Sequence, residues 1–324
     1  MATQTLVQAV NSALREEMKR DERVLVLGED VGINGGVFRA TDGLYQEFGA
    51  TRVLDTPLNE SGVIGLSIGL ALYGFKPVAE IQFLDFVYPG FDQIVSELAK
   101  LRYRSGGEYQ APVVVRAPYG GGVKGGPYHS QSCEAFFTHV PGLKVVVPSS
   151  PGDAKGLLKA AVRDEDPVIF LEPKRIYRSV REEVPEDDYI VPLGKAKVVL
   201  EGQDVSVFAY GAVIPLVLEA AGKAREEGVS VEVIDLRTLV PLDVETVLAS
   251  VRKTGRAVIV HEAPKTMGYG AEVAALISEE ALDSLKAPVV RVAGFDTPFP
   301  YVHENAYLIS PTRVLNAVRK VANY

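Results

Sequence analysis

The stretch VLVLGEDVG, residues 24–32, decides the fold class of this chain. Its four consecutive aliphatic residues end at a glycine, which predicts a short strand buried on both faces. Two carboxylates follow the strand, at the end where parallel sheets bind their ligands. Apolar residues at helical spacing precede it, over residues 6–18. A buried strand preceded by an amphipathic helix is typical of a parallel α/β sheet.

The same alternation continues along the chain. Further strands are predicted near residues 78–83, 113–115, 144–147, 168–171, 205–209, 231–234, 257–260 and 289–292. Helices are predicted between them, among them a glycine-rich apolar helix at 61–73, a helix from Pro89 through Leu101 and one capped by Ser150. The predicted fold class is therefore α/β, with two doubly wound, mostly parallel-sheet domains.

The domain boundary is predicted from a break in this pattern. A chain of 324 residues exceeds the usual size of one core. Residues 172–197 carry prolines at 173, 185 and 192 and a run of acidic residues, which is typical of a linker. We predict a first domain at 1–185, a linker at 186–194 and a second domain at 195–324.

Composition excludes several classes of protein. The net charge of −8 argues against nucleic-acid binding. Cys133 is the only cysteine, so no intrachain disulfide forms. No signal peptide and no membrane-spanning apolar stretch are recognised, and a cytoplasmic location is expected. No Cys/His spacing suggests a metal site. Gly268-Tyr269-Gly270 imitates a dinucleotide fingerprint, but Val273 occupies the third glycine position.

Two side chains are candidates for chemistry, each with a simpler alternative. Glu60 begins the apolar helix that contains Gly65 and Gly69, where a carboxylate is expected to be partly buried. It could equally be a first-turn glutamate that complements the helix dipole. His129 follows a run of glycines, which is typical of a ligand-clasping loop. A solvated or structural histidine is the alternative there.

Six segments together resemble one family, and the resemblance spans almost the whole chain. They are Gly28–Gly32, Asp55–Glu60, Glu80–Phe83, Tyr128–Gln131, Glu134–Phe137 and Pro148–Pro151. These segments are similar to the β subunits of 2-oxoacid dehydrogenases. The first half then resembles the pyrimidine-binding domain of the transketolase-like superfamily, and the second half resembles its C-terminal domain.

The resemblance implies thiamine diphosphate as cofactor. Glu60 matches the family's carboxylate that exchanges a proton with the cofactor's pyrimidine ring, and His129 matches the histidine that supplies a proton to a lipoyl group. The implied cofactor-binding residues are Glu29, Leu58, Asn59, Glu60, Gln82, Phe86, Val87, Tyr88 and Pro89. The implied substrate-binding residues are Phe83, Leu84, Asp85, Phe86 and His129.

The resemblance also implies partners. The superfamily binds magnesium and the diphosphate through a Gly-Asp-Gly motif, which this sequence lacks. An α subunit is therefore expected to bind Mg²⁺ and the diphosphate in an α2β2 heterotetramer. A lipoyl-bearing acyltransferase is the expected acceptor. The family also includes members with a structural monovalent cation near the position of residues 161–166.

The sequence favours one class of substrate and leaves alternatives open. Residues 79–83 and 101–106 are closer to the branched-chain enzymes, and Phe86 predicts an apolar pocket. A pyruvate or acetoin dehydrogenase β subunit is the enzymatic alternative. A catalytically silent structural subunit is the non-enzymatic alternative. The missing motif and the short chain argue against a single-chain transketolase.

Overall fold

The structure is a computed structural model that describes residues 2–324. These residues form two compact units. The first unit holds the chain up to Tyr119 together with Phe136–Leu193, and the second holds Gly120–Ala135 together with Gly194–Tyr324. The sequence divides the chain once, at 186–194, whereas the structure also groups Gly120–Ala135 with the second unit.

The first unit is built around a parallel sheet. Its strands are β1 (Ala2–Thr5), β2 (Val24–Gly28), β3 (Val53–Asp55), β4 (Lys76–Glu80), β5 (Val114–Tyr119), β6 (Lys144–Val146), β7 (Val168–Pro173) and β8 (Arg181–Val184). Six of them pair in parallel in the order β6-β7-β5-β4-β2-β3. The buried β2, β5 and β7 explain the continuous aliphatic runs in the sequence.

Helices connect the strands. Those up to the end of the first unit are α1 (Leu6–Arg20), α2 (Leu44–Phe48), α3 (Glu60–Leu72), α4 (Tyr88–Asp92), α5 (Leu101–Arg104), α6 (Glu134–Thr138) and α7 (Pro151–Arg163). Thr5 and Gln8 form a capping box at the start of α1. Ser150 accepts an N–H of α7, as the sequence predicts.

Two local predictions differ from the structure. The helix predicted from Pro89 through Leu101 changes its winding, because Gln93–Glu97 form a widened π turn and Leu98–Lys100 form a 3₁₀ turn before α5. The predicted irregular stretch after Glu172 contains β8, which pairs antiparallel with β1, Ala2 lying opposite Val184. Sequence patterns miss this pair because its partners are short, partly exposed and distant in the chain.

The second unit contains a five-stranded sheet. The strands of this unit are β9 (Lys197–Leu200), β10 (Val205–Ala209), β11 (Val231–Asp235), β12 (Thr238–Val240), β13 (Ala257–Pro264) and β14 (Val290–Gly294), and all but β12 belong to this sheet. The sheet order is β14-β13-β10-β11-β9, with only β9 antiparallel. Its helices are α8 (Ile214–Glu226), α9 (Val244–Thr254), α10 (Gly270–Glu280), α11 (Glu304–Tyr307) and α12 (Pro311–Ala322). Side chains of α8, α12 and β10 share one apolar core.

The predicted fold class is confirmed by these mostly parallel sheets with their connecting helices. Asp243 and Ser310 cap α9 and α12, as expected at the starts of amphipathic helices. Among residues 2–324, no helix combines the length and the apolar character needed to cross a bilayer.

Candidate functional site

In the first unit, the carboxyl ends of β2, β3 and β4 lie side by side. Gly28 ends β2 where a Cβ would lie 2.7 Å from the carbonyl oxygen of Glu80. Asp55 ends β3 and accepts the N–H of Gly32 at 2.6 Å. A Cβ at Gly32 would lie 2.6 Å from the same carboxylate. The turn after β2 is thus held against β3 by the Asp55 carboxylate, and Gly28 is required by the close approach of the Glu80 backbone.

Glu60 is the first residue of α3 and is half-buried. Asn59 is the N-cap, and its side-chain oxygen accepts a backbone N–H of the first turn at 3.0 Å. The hydroxyl of Ser61 donates to the carbonyl of Pro89. A Cβ at Gly90 would lie 3.0 Å from the carbonyl oxygen of Glu60. The backbone of Glu60 is therefore held both by its own cap and by the start of α4.

Glu29 lies in the electrostatic field of Glu60. Partial burial raises the pKa of the Glu29 carboxyl, and the charges of Asp30 and Glu60 raise it further. Gln82 donates weakly to Asp30 at 3.5 Å. The structure therefore brings Glu29, Glu60 and Gln82 to one edge of the first sheet.

Aromatic rings line the segment that follows β4. The Phe83 and Phe86 centroids are 5.5 Å apart in an edge-on arrangement, and Phe38 packs 5.3 Å from Phe83. The ammonium of Lys174 lies 5.3 Å from the centre of the Phe83 ring. Phe83 and Phe86 are half-buried, so each ring keeps an accessible part.

The other predicted site residues of this segment divide by exposure. Leu84, Asp85 and Val87 are inside, with exposed fractions of 1%, 6% and 1%. Leu58, Tyr88 and Pro89 are exposed. The assignment of all six to cofactor or substrate stays a prediction. Only the side chains of the three exposed residues can be reached by a ligand without rearrangement of the segment.

A buried ionic network lies beneath these strand ends. Arg116 donates to Glu172 at 2.6 and 2.8 Å and to Glu80 at 2.7 Å, and Tyr177 also donates to Glu172. Burial raises the pKa of the Glu80 carboxyl, while the Arg116 charge opposes that shift. For Arg116 itself, burial opposes ionisation, but the charges of Glu172 and Glu80 prevail and raise its pKa. Glu80, the last residue of β4, is therefore held by a buried ion pair with Arg116.

In the second unit, His129 lies half-buried on a glycine-rich segment that we call the His129 loop, Gly120–Gln131. The loop is closed by the N–H of Gly120, which donates to the carbonyl of Gln131 at 3.0 Å. Backbone N–H groups of the loop donate to two carboxylates, those of Glu262 and Glu304. His129 is thus presented by a loop that is tied to the rest of its unit.

Behind the loop, the second unit contains buried titratable groups. Tyr210 donates to Glu134 at 2.7 Å. Burial raises the pKa of Glu134 to about 7, although the hydrogen bond from Tyr210 opposes the shift. Burial also lowers the pKa of His261 to about 4, which leaves its ring neutral at pH 7.

His261 explains the glycines that imitate a dinucleotide fingerprint. A Cβ at Gly268 would lie 2.6 Å from its ring, and one at Gly270 would lie 2.8 Å from it. The ring of Tyr210 stacks on its face with centroids 6.3 Å apart. The two glycines of Gly268-Tyr269-Gly270 therefore make room for the His261 imidazole.

Sequence reasoning misses several supporting residues. Glu262 and Arg116 follow predicted strands, which is a signal for a site but not for these partners. Glu304 lies outside every recognised motif, and only its contacts with the His129 loop reveal it. Among residues 2–324, no group of three or more His, Cys, Asp or Glu side chains is arranged to hold a metal ion.

Two domain families match the sequence. Residues 2–180 match "Transketolase, pyrimidine binding domain", and residues 194–314 match "Transketolase, C-terminal domain". A solved structure, "Split gene transketolase, inactive beta4 tetramer", superposes with a TM-score of 0.81 at 26% identity and covers 98% of each chain. The two-domain architecture is thus shared with transketolase-like proteins.

Full-length relatives are more similar still. The 2-oxoisovalerate dehydrogenase subunit beta of Bacillus subtilis (strain 168) is 53% identical over 327 residues, with 100% of both chains covered. The pyruvate dehydrogenase E1 component subunit beta of the same organism is 53% identical over 325 residues, again with full coverage. A pyruvate dehydrogenase E1 component subunit beta of Staphylococcus epidermidis (strain ATCC 12228 / FDA PCI 1200) is 52% identical.

Proposed function

We propose a function from one premise: the chain belongs to the β subunits of 2-oxoacid dehydrogenases, oxidoreductases of the transketolase-like family. The proposed reaction is oxidative decarboxylation of branched-chain 2-oxoacids, with transfer of the acyl group to a lipoyl group. The single observation that carries it is the half-buried Glu60 at the start of α3. It lies close enough to Glu29 for its charge to raise the pKa of the Glu29 carboxyl.

The family depends on thiamine diphosphate, and the residues at this edge fit one end of that cofactor. A pyrimidine ring needs a carboxylate beside a ring nitrogen and an aromatic or apolar surface along its face. Glu60 offers the first, and the half-buried Phe86 offers the second. When bound, thiamine diphosphate supplies the electron sink for loss of carbon dioxide. We assign Glu29, Leu58 and Gln82 to the same binding edge.

Glu60 is assigned the proton exchange at the pyrimidine nitrogen. Its backbone is fixed by Asn59 and by the start of α4, so the carboxylate needs little reorganisation to meet the ring.

His129 is assigned the proton donation to the lipoyl group. When the disulfide of the dithiolane breaks, one sulfur takes the acyl group and the other needs a proton. An imidazole on a half-buried loop can present a ring N–H as the donor. The acceptor would be carried by a separate acyltransferase.

The proposed assembly is an α2β2 heterotetramer. The sequence lacks the Gly-Asp-Gly motif, so the α subunit would bind Mg²⁺ and the diphosphate. The names of the relatives identify them as beta subunits, which supports a matching α partner here. A cytoplasmic location remains part of this proposal.

The preferred substrate is proposed from three aromatic rings near the end of β4. Phe38, Phe83 and Phe86 form a continuous aromatic surface, which would favour a branched aliphatic chain over a methyl group. Pyruvate is the second candidate, because a pyruvate dehydrogenase β subunit is as similar to this chain as the 2-oxoisovalerate enzyme is.

The test is an artificial-acceptor assay on the chain co-expressed with its α partner, with saturating thiamine diphosphate and magnesium. We expect a higher kcat/KM for 3-methyl-2-oxobutanoate than for pyruvate. A preference for pyruvate would overturn the substrate assignment and keep that of Glu60. No turnover of either acid by an assembled tetramer would favour a silent structural subunit.

A further inference from the structure

The His129 loop takes its shape from carboxylates outside it. Oε1 of Glu304 accepts the N–H groups of Gly122 at 2.9 Å and Lys124 at 3.1 Å, and its Oε2 accepts that of Lys124 at 3.0 Å. Oε1 of Glu262 accepts the N–H of Gly121 at 2.6 Å. Three amides within four consecutive residues thus donate to two side chains of the same unit.

Both carboxylates are themselves fixed. Glu304 is 4% exposed and Glu262 is 7% exposed. Glu262 lies in β13, and Glu304 begins the short α11. Since charge-assisted hydrogen bonds in buried surroundings are strong and directional, the two side chains can hold a loop in one geometry.

The loop backbone needs such support. Gly120, Gly122 and Gly126 have φ angles of 80°, 92° and 64°, and Lys124, which is not a glycine, has a φ of 55°. A left-handed lysine is strained and persists only where its surroundings determine it. Its N–H is the one that donates to both oxygens of Glu304.

Close packing adds to the same restraint. A Cβ at Gly121 would lie 2.3 Å from the ring of Phe299, and one at Gly120 would lie 2.9 Å from the carboxylate of Glu262. The ring of Phe299 in turn packs 4.6 Å from that of Tyr307, at the end of α11. The loop is thus seated on the segment that carries Glu304.

We propose that Glu304 and Glu262 are positioning residues that set the His129 loop, and through it the imidazole, for proton donation to the lipoyl group. This inference rests on the role proposed for His129. Glutamine at position 304 has one acceptor atom only, and its amide group would face the N–H of Lys124. Glu304→Gln therefore loosens the loop with little change in side-chain volume.

The experiment compares Glu304→Gln with Glu279→Gln, a glutamate exposed on α10 of the same unit, in the tetramer co-expressed with the α subunit. Hydrogen exchange is followed by mass spectrometry in peptides that cover Gly120–Gln131. We expect exchange there to accelerate at least about tenfold in Glu304→Gln and to stay at the wild-type rate in Glu279→Gln. Glu304→Asp, which retains two oxygens, should lie between them.

Activity supplies a second readout that a general loss of structure would not produce. We expect the ratio of lipoyl-dependent to artificial-acceptor rate to fall at least about fivefold in Glu304→Gln and not in Glu279→Gln. Unchanged exchange would overturn the anchoring, and accelerated exchange with an unchanged ratio would overturn the positioning role. If His129→Ala leaves the ratio intact, the proposed role of His129 fails instead, while exchange still tests the anchoring.

Discussion

Glu60 and His129, the two side chains proposed to act in the reaction, stand on different supports. Glu60 begins a 13-residue helix, and its cap is the preceding residue, Asn59. His129 lies on a loop whose amides donate to carboxylates 141 and 182 residues away in the chain. The cap before Glu60 is local in sequence, although the start of α4 also contacts its backbone, whereas the partners of the His129 loop meet it only once the unit has folded.

This difference predicts that substitutions near the two side chains will act in different ways. A helix start held by its own cap keeps its shape when a side chain is changed without loss of volume. A glycine-rich loop can open locally while the rest of its unit stays folded. Changes at Glu60 should therefore act on the reaction itself, and changes around His129 should also act through the position of the loop.

The largest effect is expected for Glu60→Gln. An amide cannot exchange a proton with the pyrimidine, so decarboxylation should fall by about 10³-fold or more in the artificial-acceptor assay. Glu245→Gln is the matched control, because Glu245 is an exposed first-turn glutamate of α9. If both variants keep nearly full activity in intact tetramers, Glu60 merely complements the helix dipole.

Arg116→Met tests how much the buried ionic network of Arg116, Glu80 and Glu172 contributes to the stability of the folded chain. Removing the cation strands the carboxylates of Glu80 and Glu172, so the free energy of unfolding should fall by about 3–5 kcal/mol in urea titrations. Arg102→Met breaks a surface pair with Asp166 and should lower the free energy of unfolding much less, because solvent screens an exposed pair. Equal losses for the two variants would show that burial adds nothing to the network.

His129→Ala should separate the two half-reactions. Transfer to lipoyl should fall by about 10²-fold, and decarboxylation with an artificial acceptor should fall much less, because only the former needs the donated proton. His139→Ala, at an exposed histidine of the first unit, should preserve both rates. Equal losses in the two assays would make His129 a general substrate-binding residue.

A smaller effect is expected from the pH dependence of stability. The carboxyl of Glu134 has a pKa of about 7 in the folded chain, above its ordinary 4.5. Its contribution to stability is complete below pH 4.5 and is lost as the pH rises through 7, which amounts to about 2–3 kcal/mol between pH 5 and pH 8.

Urea titrations at these two pH values measure that loss. Glu134→Gln has no carboxyl to ionise, so its free energy of unfolding should fall less than that of the wild type between pH 5 and pH 8. Glu279→Gln should follow the wild type. Parallel pH profiles for all three proteins would contradict the assigned cause.

The same contrast explains what could be predicted from the sequence. The strand ends and the helix that begins at Glu60 are predictable because each is encoded by consecutive residues, such as the aliphatic run before Gly28, and the role of Glu60 stays a prediction. The family, the fold and the paired domains follow from motifs of this kind. The supports of His129 are not predictable, because Glu304 has no local pattern that marks it as a partner of Gly122.

Irregular winding escapes prediction for a related reason. Residues from Pro89 to Leu101 have the composition of a single helix, and the π turn at Gln93–Glu97 leaves no signature in apolar spacing. The buried pairing of Arg116 with Glu172 is also invisible, since it joins β5 and β7 across 56 residues. Sequence patterns register such partners one at a time and not as pairs.

The contact between Asp55 and Gly32 has an evolutionary consequence. The Asp55 carboxylate fills the volume that a β-carbon at position 32 would need, while it accepts that residue's N–H. A larger residue at 32 would displace the Asp55 carboxylate from the N–H that it accepts, and a shorter residue at 55 would release the turn that carries Glu29. The two positions should therefore covary among homologues.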